Sequence, residues 1–312
     1  MDERVKRVTK MKIEDIEEYS KSINGKIEFD YDISNLNWFN IGGRVKVFFK
    51  PESLQELIDF LKLYNNREKI FLLGAGSNTL FTDKSFNGVV IKLGKKFSNI
   101  SKLNEETIIA GSSALDKTVS QFAKENNIGG LEFLSCIPGS IGGGIRMNAG
   151  CFEKEFKDVL LSIQFVNTNG VVSTVPVNEI DFKYRSSNLD KSLIFLSATL
   201  KGFKTDKLII EKEIYNLTSK KKISQPSKIK TGGSTFKNPK DQTKKKVWEL
   251  IKDSVPIDTK IGDAEISKKH CNFFVNVNKA KFEDMKSLIN LVKDKVKEKT
   301  GISIETEIVV VE

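Results

Sequence analysis

Apolar residues along this chain switch between two spacings, and the switches mark out its elements. Leu54, Leu57, Ile58 and Leu61 recur at helical intervals behind Pro51-Glu52-Ser53, which predicts a helix with a proline-led start. Strand-like runs flank it, Val45 to Phe49 before and Lys69 to Leu73 and Gly88 to Leu93 after, so the first unit alternates strand and helix in α/β fashion. A second unit opens with a strand at Thr107 to Ala110 and an amphipathic helix at Leu115 to Asn126. It continues through strands at Leu160 to Asn167, Val171 to Val175 and Leu193 to Leu200, the first two joined by an Asn169-Gly170 hairpin turn. The polar, lysine-rich stretch Lys204 to Lys230 reads as a helix and tail at a boundary. Beyond it the pattern predicts a helix at Val247 to Asp253 and a strand at Asn272 to Val277. A helix with Phe282, Met285, Leu288, Ile289, Val292 and Val296 on one face follows, then a closing strand at Ile302 to Val311. Met1 to Gly25 is polar and only weakly helical. The expected division is a leader helix over 1–30, a body over 31–203 with an internal boundary near 100, and a last domain over 204–312.

Composition narrows the function. At 312 residues, 39% hydrophobic and 29% charged, the chain can bury ordinary globular cores and is not of the disordered type. No apolar run approaches the roughly 18 residues of a membrane span, and the charged opening from Met1 to Arg7 lacks a signal core, so a cytoplasmic protein without a membrane partner is expected. Cys136, Cys151 and Cys271 are scattered, with no C-x-x-C pair, and His270 is the lone histidine; neither a disulfide scaffold nor a metal centre is expected. The formal charge of +10 invites nucleic acid. Yet of 51 basic residues only six are arginine, whereas base-reading surfaces favour its bidentate fork, so no nucleic-acid partner is expected. The lysine runs at 220–222 and 244–246 read as solvated helix ends or loops, or as a funnel for an acidic small ligand. Arg44, Arg146 and Arg185, by contrast, stand inside glycine-rich or aromatic motifs.

Those motifs carry the candidate chemistry. Gly74-Ala75-Gly76-Ser77-Asn78 follows a strand, so its backbone N–H groups can approach an anion; a plain tight turn is the alternative. It is not the dinucleotide fingerprint, because neither the helix nor the ribose-binding acid follows. Ile137 to Gly144 is mostly Gly and Pro, which lets backbone wrap a ligand or pack on another segment. Tyr184-Arg185 places an aromatic ring beside a cation, as a surface pair or a site. Gly232 to Pro239 gathers a hydroxyl, an ammonium and an amide, though no histidine base is marked for Ser234. Glu305 and Glu307 alternate along the closing strand and so share a face, either solvated or buried.

Taken in order, Asn40-Ile41-Gly42-Gly43, Gly74 to Asn78, Gly130-Leu131-Glu132-Phe133-Leu134 with Ile137 to Gly143, Arg146-Met147-Asn148-Ala149-Gly150, Tyr184-Arg185, Gly233 to Pro239 and Glu305-Thr306-Glu307 resemble one family. It is that of the UDP-N-acetylenolpyruvoylglucosamine reductases, also called UDP-N-acetylmuramate dehydrogenases or MurB, flavoenzymes of bacterial peptidoglycan synthesis. The short run from Arg185 to Ser234 is similar to type II members, which lack the substrate-capping loop of type I. The chain departs from the family pattern at Thr306, commonly Pro, at Val309, commonly Arg, and at Cys151-Phe152-Glu153, often Ala-Tyr-Gly.

The resemblance implies an α+β fold, with a two-subdomain FAD-binding part of the PCMH or vanillyl-alcohol-oxidase type and a C-terminal α+β substrate domain. It implies noncovalent FAD, NADPH as hydride donor, and the enolpyruvyl ether of UDP-N-acetylglucosamine as substrate of a cytoplasmic bacterial monomer. Its cofactor contacts would fall on Asn40, Ile41, Gly42, Gly43, Gly74, Ala75, Gly76, Ser77, Asn78, Pro138, Gly139, Ser140, Gly142, Gly143, Arg146, Asn148 and Gly150. Substrate contacts would fall on Tyr184, Lys237, Asn238 and His270. Arg185 with a protonated Glu307 would stabilise the enolate left by hydride addition, and Ser234 would protonate its carbon. Two rivals make different predictions: an alcohol or sugar oxidase of the same FAD fold, reoxidised by oxygen, and a colourless basic RNA-binding protein.

Overall fold

The computed structural model describes residues 13–64 and 69–312. The start of the expected leader, with Arg4 and Arg7, lies outside the described residues, as does Arg67. Its remainder is not simply a leader: after helix α1 (Ile13–Ser20) the chain forms strand β1 (Lys26–Asp32), which opens the first sheet. The sequence Lys-Ile-Glu-Phe-Asp-Tyr-Asp carries the strand alternation, with the charged positions an edge strand keeps, although the expected leader runs through it. β1 runs antiparallel to β2 (Arg44–Lys50). β2 pairs in parallel with β5 (Phe86–Ile91), and β5 in parallel with β3 (Lys69–Leu72). Helix α2 (Leu54–Tyr64) buries Leu57, Phe60, Leu61 and Tyr64 in one cluster with Val47, Phe49, Val89, Ile91 and Ile16 of α1.

The second unit is a five-stranded antiparallel sheet of β6 (Ile100–Lys102), β7 (Thr107–Gly111), β8 (Leu160–Val166), β9 (Val172–Pro176) and β10 (Ile194–Lys201), in spatial order β9-β8-β10-β7-β6. Helix α3 (Asp116–Glu125) and the short helix α4 (Ile141–Arg146) close its core around Ile108, Val119, Ile141, Ile145, Ile163 and Leu200. α4 escapes sequence reading because Ile-Gly-Gly-Gly-Ile-Arg carries three residues that each cost about 1 kcal/mol against Ala in a helix. Packing offsets that cost at Gly144, where a side chain would come within 2.2 Å of the Phe156 ring. Helix α5 (Lys207–Ser224), capped by Asp206 accepting from the Leu208 N–H at 2.7 Å, packs on α3 and on residues 132–136. The stretch read as a boundary therefore rests on the second unit.

In the last unit α6 (Val247–Ser254) and α7 (Phe282–Thr300) enclose a core with a small sheet of β11 (Lys260–Ile261), β12 (Ala264–Ile266) and β13 (Phe274–Asn276). Phe39, Ile41 and Leu80 of the first unit belong to the same core. The closing strand is shorter than expected, only β14 (Val309–Val311), and it pairs in parallel with β4 (Thr79–Phe81) of the first unit. Residues 302–308 are irregular because their backbone groups serve loops: Lys237 N–H donates to Glu305 O at 2.9 Å and Glu307 N–H to Thr235 O at 2.8 Å. Among the described residues no helix is long and apolar enough to cross a membrane.

Candidate active site

Arg185 is the node of the site. It stands at φ +57° where the pair Phe182–Lys183 turns back on Ser186–Ser187, a conformation that costs a non-glycine residue roughly 1 kcal/mol. Its Nε donates to Glu307 Oε1 at 3.0 Å, Nη1 to Asn148 O at 3.3 Å and Nη2 to Gly150 O at 3.0 Å. Nη1 also faces Glu155 Oε1 at 3.5 Å. The Tyr184 ring lies 5.0 Å from the guanidinium carbon and 3.9 Å from Lys240 Nζ, so one ring serves two cations.

Glu307 reaches this node from the far end of the chain. Burial pushes its carboxyl above the ordinary range, outweighing the opposing pull of Arg185 and, more weakly, Lys237. Its backbone is clamped on both sides, the C=O by Asn78 Nδ2 at 3.0 Å and the N–H by Thr235 O. Thr235 follows Ser234, so the clamp that places the carboxylate also places the hydroxyl. Ser234 is half-buried, its backbone bridges to Phe273, and its Oγ makes no hydrogen bond among the described residues. Asn272, which sequence reasoning missed, fixes this loop: it accepts from Phe236 N–H at 3.0 Å, donates to Phe236 O at 2.9 Å, and its own C=O takes Thr235 N–H at 2.7 Å. The available signal was one amide inside the apolar run from Cys271 to Val275.

The candidate substrate residues divide. Asn238 Nδ2 donates to Tyr184 Oη at 3.3 Å while its Oδ1 receives the Val247 N–H of α6 at 2.9 Å, and Lys237 Nζ pairs with Glu305 at 3.5 Å. These join the Arg185 node. His270 does not: its Nδ1 accepts from Asn272 N–H at 3.2 Å, its ring packs edge-on to Phe273, and burial lowers its pKa. The two glutamates also part company. Glu305 keeps 79% of its side chain exposed against 19% for Glu307, because the segment is not the regular strand expected.

The glycine loops meet face to face. A side chain added at Gly74 would meet little beyond Ser140 Oγ, at 2.7 Å, with Gly143 Cα at 4.0 Å, so loops 74–78 and 137–144 face each other with Gly74 and Gly143 exposed. Gly76, at φ +71°, presses on Leu36 O and accepts from Trp38 N–H at 3.0 Å. That contact brings in the Asn40–Gly43 turn, which Asn37 braces by donating to Ile41 O at 2.8 Å. Lys92, missed from sequence, donates to Gly74 O. On the second unit's side Ser112 Oγ, Ser140 Oγ and both Asp116 carboxyl oxygens are buried without a partner. Complete burial drives the Asp116 pKa far up, which favours its neutral, hydrogen-bond-donating form. Such orphaned groups cost about 1–3 kcal/mol each, and facing loops with bare glycine backbone and unmet hydroxyls fit a phosphate-bearing, heterocyclic cofactor such as FAD.

Three expected cofactor contacts are engaged elsewhere. Arg146 donates to Leu189 O at 3.3 Å, Asp190 O at 2.7 Å and Leu193 O at 2.6 Å, and lies 4.1 Å over the Phe195 ring; its burial lowers its pKa to about 10. Asn148 donates to Glu155 Oε2 at 3.0 Å and Lys183 O at 3.2 Å and accepts from Lys157 N–H at 3.1 Å. Gly150 lends its carbonyl to Arg185. Asn148 and Gly150 brace the Arg185 turn, and Arg146 ties down residues 189–195. Among the described residues no cluster of three His, Cys, Asp or Glu side chains could hold a metal ion.

The chain's likeness to known proteins agrees with this geometry. Residues 225–311 match the family model described as UDP-N-acetylenolpyruvoylglucosamine reductase, C-terminal domain, and residues 45–175 match the FAD binding domain family. The UDP-N-acetylenolpyruvoylglucosamine reductase of Pelagibacter ubique is 61% identical over 298 residues, 96% of this chain and 99% of that protein. The reductase of Rickettsia canadensis is 40% identical over 286 residues, 92% of this chain and 96% of that protein. The crystal structure of UDP-N-acetylenolpyruvylglucosamine reductase (MurB) from Thermus caldophilus superposes with a TM-score of 0.79 at 26% identity, covering 93% of this chain and all of that one.

Proposed function

The chain belongs to the UDP-N-acetylenolpyruvoylglucosamine reductase family, FAD-dependent oxidoreductases of peptidoglycan synthesis, and we propose on that premise how its residues carry out the reduction. The substrate is the enolpyruvyl ether of UDP-N-acetylglucosamine, the product UDP-N-acetylmuramate, and the working form a cytoplasmic monomer. Loops 74–78 and 137–144 would hold FAD noncovalently, and the flavin would supply the hydride chemistry that links NADPH to the terminal methylene carbon of the substrate. Hydride addition there leaves negative charge on the adjoining enol carbon and the carboxylate it bears. Arg185 meets that charge with a guanidinium already held on four sides, so no reorganisation is needed as the charge develops. Burial raises the Glu307 pKa and so favours the protonated form, which would donate a hydrogen bond to the same enolate. Ser234, its hydroxyl uncommitted, delivers the proton to the enol carbon as general acid. Tyr184, Lys237 and Asn238, with Lys240 beside them, form the rim that takes sugar and diphosphate; two ammonium groups suit the diphosphate. His270 stands behind the serine loop in a supporting place.

The observation that carries this reading is the Arg185–Glu307 pair, closed across 122 residues of sequence onto the loop that presents Ser234. An oxidase would not need a proton donor beside the enolate-stabilising pair. The test is to reduce the enzyme anaerobically with NADPH and follow flavin absorbance. Reoxidation should be much faster with the enolpyruvyl nucleotide than with air. A nucleotide without effect, alongside rapid reaction with oxygen, would favour the oxidase.

A further inference from the structure

One guanidinium in this site faces two carboxylates. Arg185 meets Glu307 through Nε at 3.0 Å and Glu155 through Nη1 at 3.5 Å, and the three side chains are exposed by only 16%, 19% and 18%. We propose that Glu155 is a positioning residue for the reduction: it serves as the standing counter-charge of Arg185 and leaves Glu307 free to hold the proton. This rests on the function proposed above and adds a residue that acts on the substrate only through Arg185.

The distribution of donors decides which carboxylate keeps its charge. A single positive charge cannot neutralise both, and in a shielded site two carboxylates sharing one cation push one of them toward its protonated form. Glu155 has support beyond Arg185: Asn148 Nδ2 donates to its Oε2 at 3.0 Å, and Lys157 Nζ lies 3.1 Å from the same oxygen. Its backbone N–H is tied to Asp158 Oδ2 at 2.8 Å, and its Cγ packs so closely on Gly150 that a side chain there would come within 2.8 Å. Among the described residues Glu307 has Arg185 alone as side-chain donor. Lys237 acts on it only at longer range and is itself paired with Glu305. The Tyr184 ring stands against both Arg185 and Lys240, and Cys151, next to Gly150, feels the charge of Arg185. None of these offers Glu307 a second donor. The proton therefore settles on Glu307, in line with the direction in which burial moves that carboxyl. Glu155 meanwhile holds Asn148 and Gly150, whose carbonyls orient Nη1 and Nη2, so charge and geometry are set by the same side chain.

The sign of the effect follows. If Glu307 works as the protonated acid, the rate of the substrate half-reaction falls as pH rises through its pKa. Neutralising Glu155 removes a like charge from across the guanidinium, gives Arg185 wholly to Glu307, and stabilises the ionised form of Glu307. Its pKa drops. In Glu155→Gln the alkaline fall in rate should move to lower pH by about one unit, the order a neighbouring charge produces. Glu155→Asp, which keeps the charge, should return the profile most of the way. Both variants and the wild type would be measured as FAD-loaded enzymes, by stopped-flow reoxidation with the enolpyruvyl nucleotide from acid to alkaline pH, with NADPH reduction of the flavin as the parallel reading. NADPH reduction should be unmoved. A Glu155→Gln profile that is lowered equally at every pH, or that superimposes on the wild type, overturns the proposal and leaves Glu155 a structural brace. A wild-type enzyme that the nucleotide does not reoxidise overturns the underlying function instead, so the two failures are distinguishable.

Discussion

Ser234 illustrates how a poor reagent becomes useful by placement. Its hydroxyl has no base to activate it and no hydrogen bond among the described residues, yet its loop is pinned through Thr235 and Asn272 to the same backbone that carries Glu307. A group held there is needed only when the enol carbon takes its proton. Ser234→Ala should therefore leave NADPH reduction of the flavin near its normal rate and slow reoxidation by the nucleotide by about 10² to 10⁴, or roughly 3 to 5 kcal/mol of barrier. Ser234→Cys, which keeps a dissociable proton, should recover part of the loss. Stopped-flow absorbance reads both halves in one sample; equal slowing of the two would make Ser234 a structural residue. Arg185, Ser234 and Glu307 were legible in the sequence because each stands in a distinctive motif. Glu155, Asn272 and Asp116 were not, because their roles depend on what burial and distant backbone place against them. Asp116 reads as an ordinary exposed first-turn acid until Gly139 is seen packed against its carboxyl.

Elements show the same division between spacing and packing. Helices with one apolar face, such as α7, form where the spacing predicts them, since the stripe alone decides which side is buried. Elements whose reason lies in a neighbour do not announce themselves, as with the glycine helix α4. The hairpin of Gly150–Cys151 with Lys154–Glu155 lies between these cases. The departure of Cys151-Phe152-Glu153 from the family pattern was visible, but its consequence is conformational: Phe152 and Glu153 both adopt left-handed backbone, at φ +51° and +68°. A non-glycine residue there carries about 1–2 kcal/mol of strain, and glycine would give back about 0.5–1 kcal/mol through the freedom of its unfolded chain. Relief of strain outweighs that loss. Glu153→Gly should thus stabilise the protein by about 0.5–1 kcal/mol, seen as a higher denaturant midpoint at unchanged slope. An unchanged or lower midpoint would mean the Glu153 side chain makes up for its backbone through contacts the turn does not reveal.

At the scale of the whole molecule, the site exists because the end of the chain returns to its beginning. Local periodicity marks the closing segment but not Thr79–Phe81, and pairing between residues more than two hundred positions apart leaves no local trace. Here β14 lies on β4 with Val309 opposite Thr79, Val310 opposite Leu80 and Val311 opposite Phe81. The ladder continues into the site: Val309 N–H donates to Asn78 O at 2.9 Å, and Asn78 Nδ2 donates to Glu307 O at 3.0 Å. A glycine loop proposed to hold FAD and a carboxyl proposed to act on substrate thus share one backbone clamp. This also explains how the chain carries Val309 where its family commonly has Arg, because the position contributes its N–H whatever side chain it bears. Val309→Pro removes that donor while leaving a position whose side chain is already partly exposed. FAD affinity and substrate turnover should then fall together, with flavin appearing in the filtrate on ultrafiltration, while the far-ultraviolet helical signal stays unchanged because none of the helices α1 to α7 ends at this strand. Val309→Ala, which keeps the N–H, should retain its flavin. If the proline variant held FAD as tightly as the wild type, loop 74–78 would be ordered by its own unit alone, and the return of the chain end would matter only for Glu307.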